Sequence, residues 1–165
     1  MRIKNFYISN YKNLIDFSID FYDDSFLEVF VGKNGSGKSN FIEALLETLR
    51  HIYQYDWGES RHEVLYSYRL TYEIDAEEQC IEFDFTQDKL TINGDIRATV
   101  GHTPLPDHIL IYYAGHNSSV NDLLTVFDKK FSGRLIKADQ EDSRPFIRVN
   151  HTYNDLLLTI FALLP

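Results

Sequence analysis

The sequence predicts an α/β fold in which a mixed sheet with an antiparallel β-meander carries a glycine-rich phosphate loop. Apolar and polar residues alternate over 17–21 and again between residues 66 and 92, which is the period of strands with one solvated face. Residues 39–52 change to the helical period. The glycine-rich loop stands directly before that helix.

Composition excludes several classes of protein. Of the 165 residues 44% are hydrophobic, which is enough for a core and excludes a disordered chain. The net charge of −9 argues against a protein that coats nucleic acid through bulk positive charge. The lone Cys80 excludes a disulfide framework and any Cys-based zinc site, and it fits a reducing setting.

Neither a membrane anchor nor a secretory signal is predicted. The longest apolar run, 156–164, is about half the roughly 20 residues that a membrane-spanning helix needs. The first seven residues contain no hydrophobic signal segment. We therefore expect a cytoplasmic protein without a membrane partner.

Three strands are predicted before the helix. The first covers Arg2 to Ser9, and the second contains the alternating residues 17–21, with a turn at 11–13 between them. The third, Phe26 to Val31, is nearly continuously apolar, as is typical of a central strand covered on both faces. We expect this strand to lead into the phosphate loop.

The helix is predicted from Ser39 to about Ile52. Its apolar positions follow helical spacing, and Glu43, Glu47 and Arg50 are left for solvent. The predicted core positions are Phe41, Ile42, Leu45, Leu46, Leu49 and Ile52.

Residues 64–97 are predicted to form the β-meander. Its strands cover 66–74, 81–85 and 89–92, and Asn93-Gly94 is the strongest short hairpin signal in the chain. A further buried strand is expected over Ile109 to Ala114, followed by a short amphipathic helix within 120–131 and a last helix from about Thr152. Length predicts a single domain over 1–165.

The segment Gly32-Lys33-Asn34-Gly35-Ser36-Gly37-Lys38-Ser39 fits the Walker A pattern G-x-x-x-x-G-K-[ST] between a strand and a helix. Glycines allow successive backbone N–H groups to point at one phosphate, and the helix start adds unsatisfied N–H groups. Lys38, the predicted catalytic residue, supplies a charge to the β- and γ-phosphates, and the Ser39 hydroxyl is placed to hold Mg²⁺. ATP and Mg²⁺ are the cofactors that this pattern predicts.

The opening strand–turn–strand, followed by Val29 to Leu45 with its Asn-Gly-Ser-Gly-Lys-Ser-Asn core, resembles the N-terminal lobe of ABC-type ATPase heads of the SMC, RecF and OLD-like branch. The resemblance covers about the first 50 residues. Residues 112–115 and 144–146 resemble AAA-type ATPases associated with restriction and phage-defence systems. The fold implied is a P-loop NTPase lobe, truncated within a larger head.

The resemblance implies roles for individual residues. Asn34 to Ser39 would wrap the phosphates, with Gly32 at the start of the same loop and Ser39 on Mg²⁺. Asn40 would cap the helix or touch the α-phosphate region. Lys12 and Asn13 would approach the nucleotide from their turn, although an ordinary polar turn between strands is the alternative.

Other motifs of such heads are not recognisable. Residues 123–128 imitate a Walker B strand, but helical spacing explains their leucines, and 131–134 only faintly echo the signature motif. His116 to Ser118 lie where a Q-loop equivalent would stand, without a Gln. A modest basic cluster is interpreted as a solvated face, with a DNA or partner contact as the alternative. It consists of Lys129, Lys130, Arg134 and Lys137.

Three functions remain open at the level of sequence. The first is an SMC/RecF/OLD-like ATPase in DNA repair or anti-phage defence, in which two heads would sandwich ATP as a homodimer and act on DNA or an effector nuclease. The second is a small phosphotransferase or GTPase, although no Asn-Lys-x-Asp guanine motif is present and the meander does not suit a kinase. The third is an interaction module that ATP shapes without turnover.

Overall fold

The computed structural model describes residues 1–21, 27–55, 63–112, 125 and 145–149. The chain divides into two compact units, Met1–Leu105 and Pro106–Pro165, which we describe separately. The single domain over 1–165 stays a prediction.

The first unit combines six strands with one long helix. In chain order its elements are β1 (Arg2–Tyr11), β2 (Leu14–Asp20), α1 (Lys38–Gln54), β3 (Tyr68–Ile74), β4 (Glu77–Asp84), β5 (Lys89–Ile92) and β6 (Asp95–Arg97).

The six strands form one antiparallel sheet in the order β2-β1-β3-β4-β5-β6. Strand β1 therefore lies between its hairpin partner β2 and the meander. Asn93 and Gly94 have positive φ angles of 52° and 87° and connect Ile92 directly to its partner Asp95. The predicted meander and its two-residue hairpin are confirmed, and so is the α/β class.

Alternate residues of β1, β3 and β4 build the core beneath α1. Phe6, Ile8, Leu70, Tyr72 and Ile81 are fully buried. On the helix side, Phe41 is 3% exposed and contacts four aromatic rings at centroid distances of 4.8–6.4 Å: Phe6, Phe17, Phe21 and Phe30. This aromatic cluster fixes the first turns of α1, and with them the loop that precedes the helix.

The predicted central strand at 26–31 is wrong for the residues that the structure describes. Residues 27–31 form no strand, and Leu27, Val29 and Val31 are 70%, 71% and 86% exposed. Phe26 lies outside the described residues. An apolar run predicts burial, but it forms a strand only where a neighbouring strand offers hydrogen bonds. No described strand pairs with this segment.

The predicted polarity of α1 also needs correction. Glu43 is fully buried and Arg50 is 7% exposed, whereas Ile42, predicted to be core, is 38% exposed. Glu47 is half-buried and accepts a hydrogen bond from the Tyr11 hydroxyl at 3.2 Å. Partners on the sheet side compensate two of these polar residues: Lys12 pairs with Glu43, and the Tyr11 hydroxyl bonds to Glu47.

Two more tyrosines join the sheet side to α1. The Tyr66 hydroxyl donates to the Ala44 carbonyl at 3.2 Å and lies 3.2 Å from the Thr48 hydroxyl. The Tyr68 hydroxyl lies 2.9 Å from His51 Nδ1. Burial raises the pKa of Tyr66, while its hydrogen bond with Thr48 opposes that shift. The phenol therefore stays protonated and remains a donor near neutral pH.

We expect Tyr66→Phe to destabilise the protein by about 1–2 kcal/mol, because the Ala44 carbonyl and the Thr48 hydroxyl lose a buried partner. Urea denaturation measures this loss. Tyr112→Phe is the control, because Tyr112 is 62% exposed, and it should change the free energy of unfolding by less than about 0.5 kcal/mol. Equal effects of the two substitutions would contradict the assigned hydrogen bonds.

The second unit contains the parallel pair β7 (Ile109–Tyr112) and β8 (Phe146–Val149). Ile109 pairs with Phe146, and its N–H donates to the Pro145 carbonyl at 2.6 Å. The structure describes the predicted strand 109–114 as far as Tyr112. Of the predicted helix within 120–131 only Thr125 is described, and it is helical, while the helix from Thr152 lies outside the described residues. Among the described helices none has the length and apolar character to cross a membrane.

Candidate functional site

The glycine-rich loop ends where α1 begins. Lys38 is the first residue of the helix, and Gly37 stands at the N-cap with φ 95° and ψ 3°. Its position has no side-chain cap, and the first turn contains no acidic residue. The N–H groups of the first turn are therefore left for an anionic ligand, with the positive end of the helix dipole behind them.

A shallow cavity of about 210 Å³ lies at this helix start. Its lining consists entirely of residues that the sequence predicted for the site: Asn34, Gly35, Gly37, Lys38, Ser39 and Asn40. Gly35 also has a positive φ, of 84°. The cavity is open to solvent, and its lining residues are glycines and residues with polar side chains.

The Lys38 ammonium folds back over the loop. Its Nζ donates to the carbonyls of Gly32 and Lys33 at 2.7 and 2.9 Å and to Ser36 Oγ at 3.3 Å. Gly32 and Ser36 contact the lysine and are not among the residues that line the cavity, and their predicted phosphate contacts stay a prediction. These three acceptors are exposed, so phosphate oxygens can replace them as partners of the Lys38 ammonium.

Two glycines of the loop have close neighbours, and the space is tighter at Gly37 than at Gly32. A Cβ on Gly37 would lie 2.9 Å from Leu14 Cδ2 and 3.2 Å from Asn13 Nδ2. A Cβ on Gly32 would lie 3.0 Å from Ser36 Oγ. The β1–β2 turn therefore rests directly on the phosphate loop at Gly37.

Asn13 joins that turn to two residues that line the cavity. Its amide Nδ2 donates to the Gly35 carbonyl at 3.4 Å, and its Oδ1 accepts from Asn40 Nδ2 at 2.7 Å. The predicted alternative that Asn40 caps α1 is wrong, because Gly37 is the N-cap and the Asn40 amide is engaged by Asn13. A contact of Asn40 with the α-phosphate region stays a prediction.

Lys12 is directed to a different partner. Its Nζ pairs with Glu43 Oε2 and lies 5.4 Å from the centre of the Tyr11 ring. Its predicted contact with the nucleotide stays a prediction. Sequence reasoning missed Glu43 because its spacing with Glu47 and Arg50 indicated a solvent face. No local signal marks Glu43 as buried, because its partner Lys12 is distant in the sequence.

The site fits Mg²⁺ bound together with a polyphosphate. Ser39 is exposed and lines the cavity, so its hydroxyl offers one oxygen to a hard cation. The described residues contain no group of three or more His, Cys, Asp or Glu side chains that would hold a metal alone. Phosphate oxygens and water would then complete the coordination.

Several predicted features lie outside the described residues. They are the Q-loop candidate 116–118, the Walker B imitation 123–128 apart from Thr125, the signature-like 131–134, and the basic cluster Lys129, Lys130, Arg134 and Lys137.

Comparison with known proteins gives a matching family model and several similar solved structures. The sequence model of the AAA ATPase domain matches residues 1–161. Structures of the recombination mediator protein RecF with ATP and with ATPrS, from the RecFOR pathway, are 19% and 21% identical to the chain, with TM-scores of 0.46 and 0.43. In both cases 82% of this chain is matched to 41% of the other, so the chain spans about two fifths of their length. None of the curated proteins compared matches the chain.

Proposed function

Because the chain belongs to the AAA ATPase domain family, we propose that it binds the triphosphate of ATP with Mg²⁺ in the cavity at the start of α1. The observation that carries the proposal is the position of Lys38. Its ammonium lies within 2.7–3.3 Å of three loop oxygens at a helix N-terminus without a cap or an acidic residue. A mobile cation, free N–H groups and a dipole end then face one ligand.

Each residue of the loop has a separate task in this proposal. Gly35 and Gly37 hold backbone angles that turn N–H groups toward the phosphates. Lys38 exchanges its loop oxygens for oxygens of the β- and γ-phosphates and neutralises their charge. Ser39 orients the cation, and Mg²⁺ supplies charge neutralisation at the β- and γ-phosphates when it is bound.

The wider function rests on the sequence resemblance. We propose that the chain is part of an SMC/RecF/OLD-like ATPase that acts in the cytoplasm, in DNA repair or anti-phage defence. Two such heads would enclose ATP as a homodimer, with DNA or an effector nuclease as partner. The β1–β2 hairpin packed on the Walker A loop supports this branch of the family, because residues of both elements carry the resemblance.

Calorimetric titration of the 165-residue chain with ATP and Mg²⁺ tests the proposal. We expect saturable binding, much weaker binding of AMP, and almost no hydrolysis, because turnover needs groups that several parts of a head supply. AMP is the informative control, since it shares the base and sugar but lacks the β- and γ-phosphates. Equal affinity for AMP, or no binding at millimolar ATP, would overturn the proposal.

Ser39→Ala is expected to reduce the contribution of Mg²⁺ to ATP binding by about three- to tenfold, because one hard oxygen ligand is lost. Titrations with and without Mg²⁺ measure this contribution in each protein. Ser36→Ala is the matched control, since Ser36 Oγ contacts Lys38 rather than the cavity. A Mg²⁺ dependence that survives Ser39→Ala unchanged would remove Ser39 from the metal site.

A further inference from the structure

The buried face of α1 contains a carboxylate that the proposed phosphate chemistry does not use. Glu43 is fully buried, and its Oε2 pairs with Lys12 Nζ. Its Oε1 has no hydrogen-bond partner among the residues that the structure describes. The ion pair with Lys12 is thus the charged contact that compensates this carboxylate within the described part of the chain.

The pair is asymmetric. The Lys12 side chain is 44% exposed, so water can hydrate its ammonium if Glu43 is removed. Glu43 has no such access, and a buried carboxylate without a cation is strongly unfavourable. The ion pair with the buried Glu43 therefore keeps the Lys12 side chain in place.

The ion pair also stabilises the strained β1–β2 turn in which Lys12 lies. Lys12 has a φ of 51°, a left-handed angle that a residue with a Cβ adopts only when its surroundings stabilise it. The next residue is Asn13, whose side chain contacts Gly35 and Asn40, two residues that line the cavity. Leu14 follows and fits against Gly37.

From these contacts we propose that Glu43 is a positioning residue of the nucleotide site. It anchors Lys12, and through Lys12 it holds the β1–β2 turn so that Asn13 stays against Gly35 and Asn40. This inference rests on the proposed function, because it assigns Glu43 a role in preparing the phosphate loop for ATP. Glu43 itself is not among the residues that line the cavity.

Glu43→Gln is the direct test, because the side chain keeps its shape and loses its charge. We expect ATP affinity to fall about three- to thirtyfold, as for a change that couples to a site through one intermediate residue. Glu47→Gln is the matched control. It removes a carboxylate one turn further along α1, which accepts a hydrogen bond from the Tyr11 hydroxyl. Lys12→Arg keeps the pair with Glu43 and should keep near wild-type affinity.

A second readout needs no nucleotide. In protein labelled with ¹⁵N-glycine, Glu43→Gln should shift the backbone amide signals of Gly35 and Gly37. The signals of Gly94 and Gly101 should not move, because these glycines lie in the meander and the loop after it. A change in overall stability would not select the two loop glycines, so this spectrum separates positioning from general destabilisation.

The outcomes distinguish the two claims. If the wild-type chain does not bind ATP, the proposed function fails, and the glycine spectrum still tests the positioning of the loop. If the wild type binds ATP but Glu43→Gln binds equally well, or if its Gly35 and Gly37 signals stay in place, the role of Glu43 is overturned.

Discussion

Replacing Lys38 with alanine should weaken ATP binding by about ten- to a hundredfold, since charge-assisted hydrogen bonds contribute about 1.5–3 kcal/mol. In the structure the Lys38 ammonium already bonds to three loop oxygens, so it stands at the cavity before a ligand arrives. ATP oxygens would replace these partners, and alanine has no group to offer them. Calorimetric titration with ATP and Mg²⁺ measures the change.

The control for this experiment is Lys33→Ala. Lys33 lies in the same loop and carries the same charge, but its backbone carbonyl, which alanine keeps, is what bonds to Lys38. A general loss of positive charge would weaken binding in both variants. Near wild-type affinity of Lys38→Ala, or equal losses in the two variants, would show that Lys38 is not the phosphate contact.

The exchange at Lys38 limits the affinity that we expect for ATP. Lys38 must leave the Gly32 and Lys33 carbonyls and Ser36 Oγ when it turns to phosphate. The gain on binding is therefore the difference between two sets of hydrogen bonds and not the full value of the new set. Preparation of the loop by the β1–β2 turn lowers the remaining cost, because ordering has already taken place.

Local signals made much of the fold predictable. Asn93 and Gly94 favour the left-handed angles that their hairpin needs, and the alternating residues of β3 and β4 share one face whatever their neighbours are. The Walker A pattern likewise predicts the local geometry of the phosphate loop, because the loop and the start of α1 are contiguous in the chain. Five of the six cavity residues, Asn34, Gly35, Gly37, Lys38 and Ser39, belong to the Walker A segment 32–39, and the sixth, Asn40, follows it directly.

Features that depend on distant partners were not predictable in this way. Glu43 is buried because Lys12, 31 positions away in sequence, compensates its charge. The apolar residues 27–31 predicted a strand, but hydrophobicity does not specify a hydrogen-bonding partner. Helical spacing predicts which residues share a face of α1, whereas the buried partners of Thr48 and His51 are tyrosines from another part of the sequence, Tyr66 and Tyr68.

The largest stability effect is expected at the contact between the turn and the loop. Gly37→Ala should destabilise the protein by about 2–4 kcal/mol, since alanine is strained at a φ of 95° and its Cβ would overlap Leu14. The overlap is costly because Leu14 is 6% exposed, so its side chain has little room to move. Urea denaturation measures this loss.

Gly35→Ala separates the two causes of that loss. Gly35 has a similar φ of 84°, but a Cβ there meets nothing within 4 Å, so only the conformational cost of about 1 kcal/mol remains. The difference between the two variants therefore measures how tightly Leu14 and Asn13 press on the loop. If both substitutions lower the free energy of unfolding equally, the turn does not pack against Gly37. The proposed coupling from Glu43 through Lys12 and Asn13 to the phosphate site then lacks the contact on which it depends.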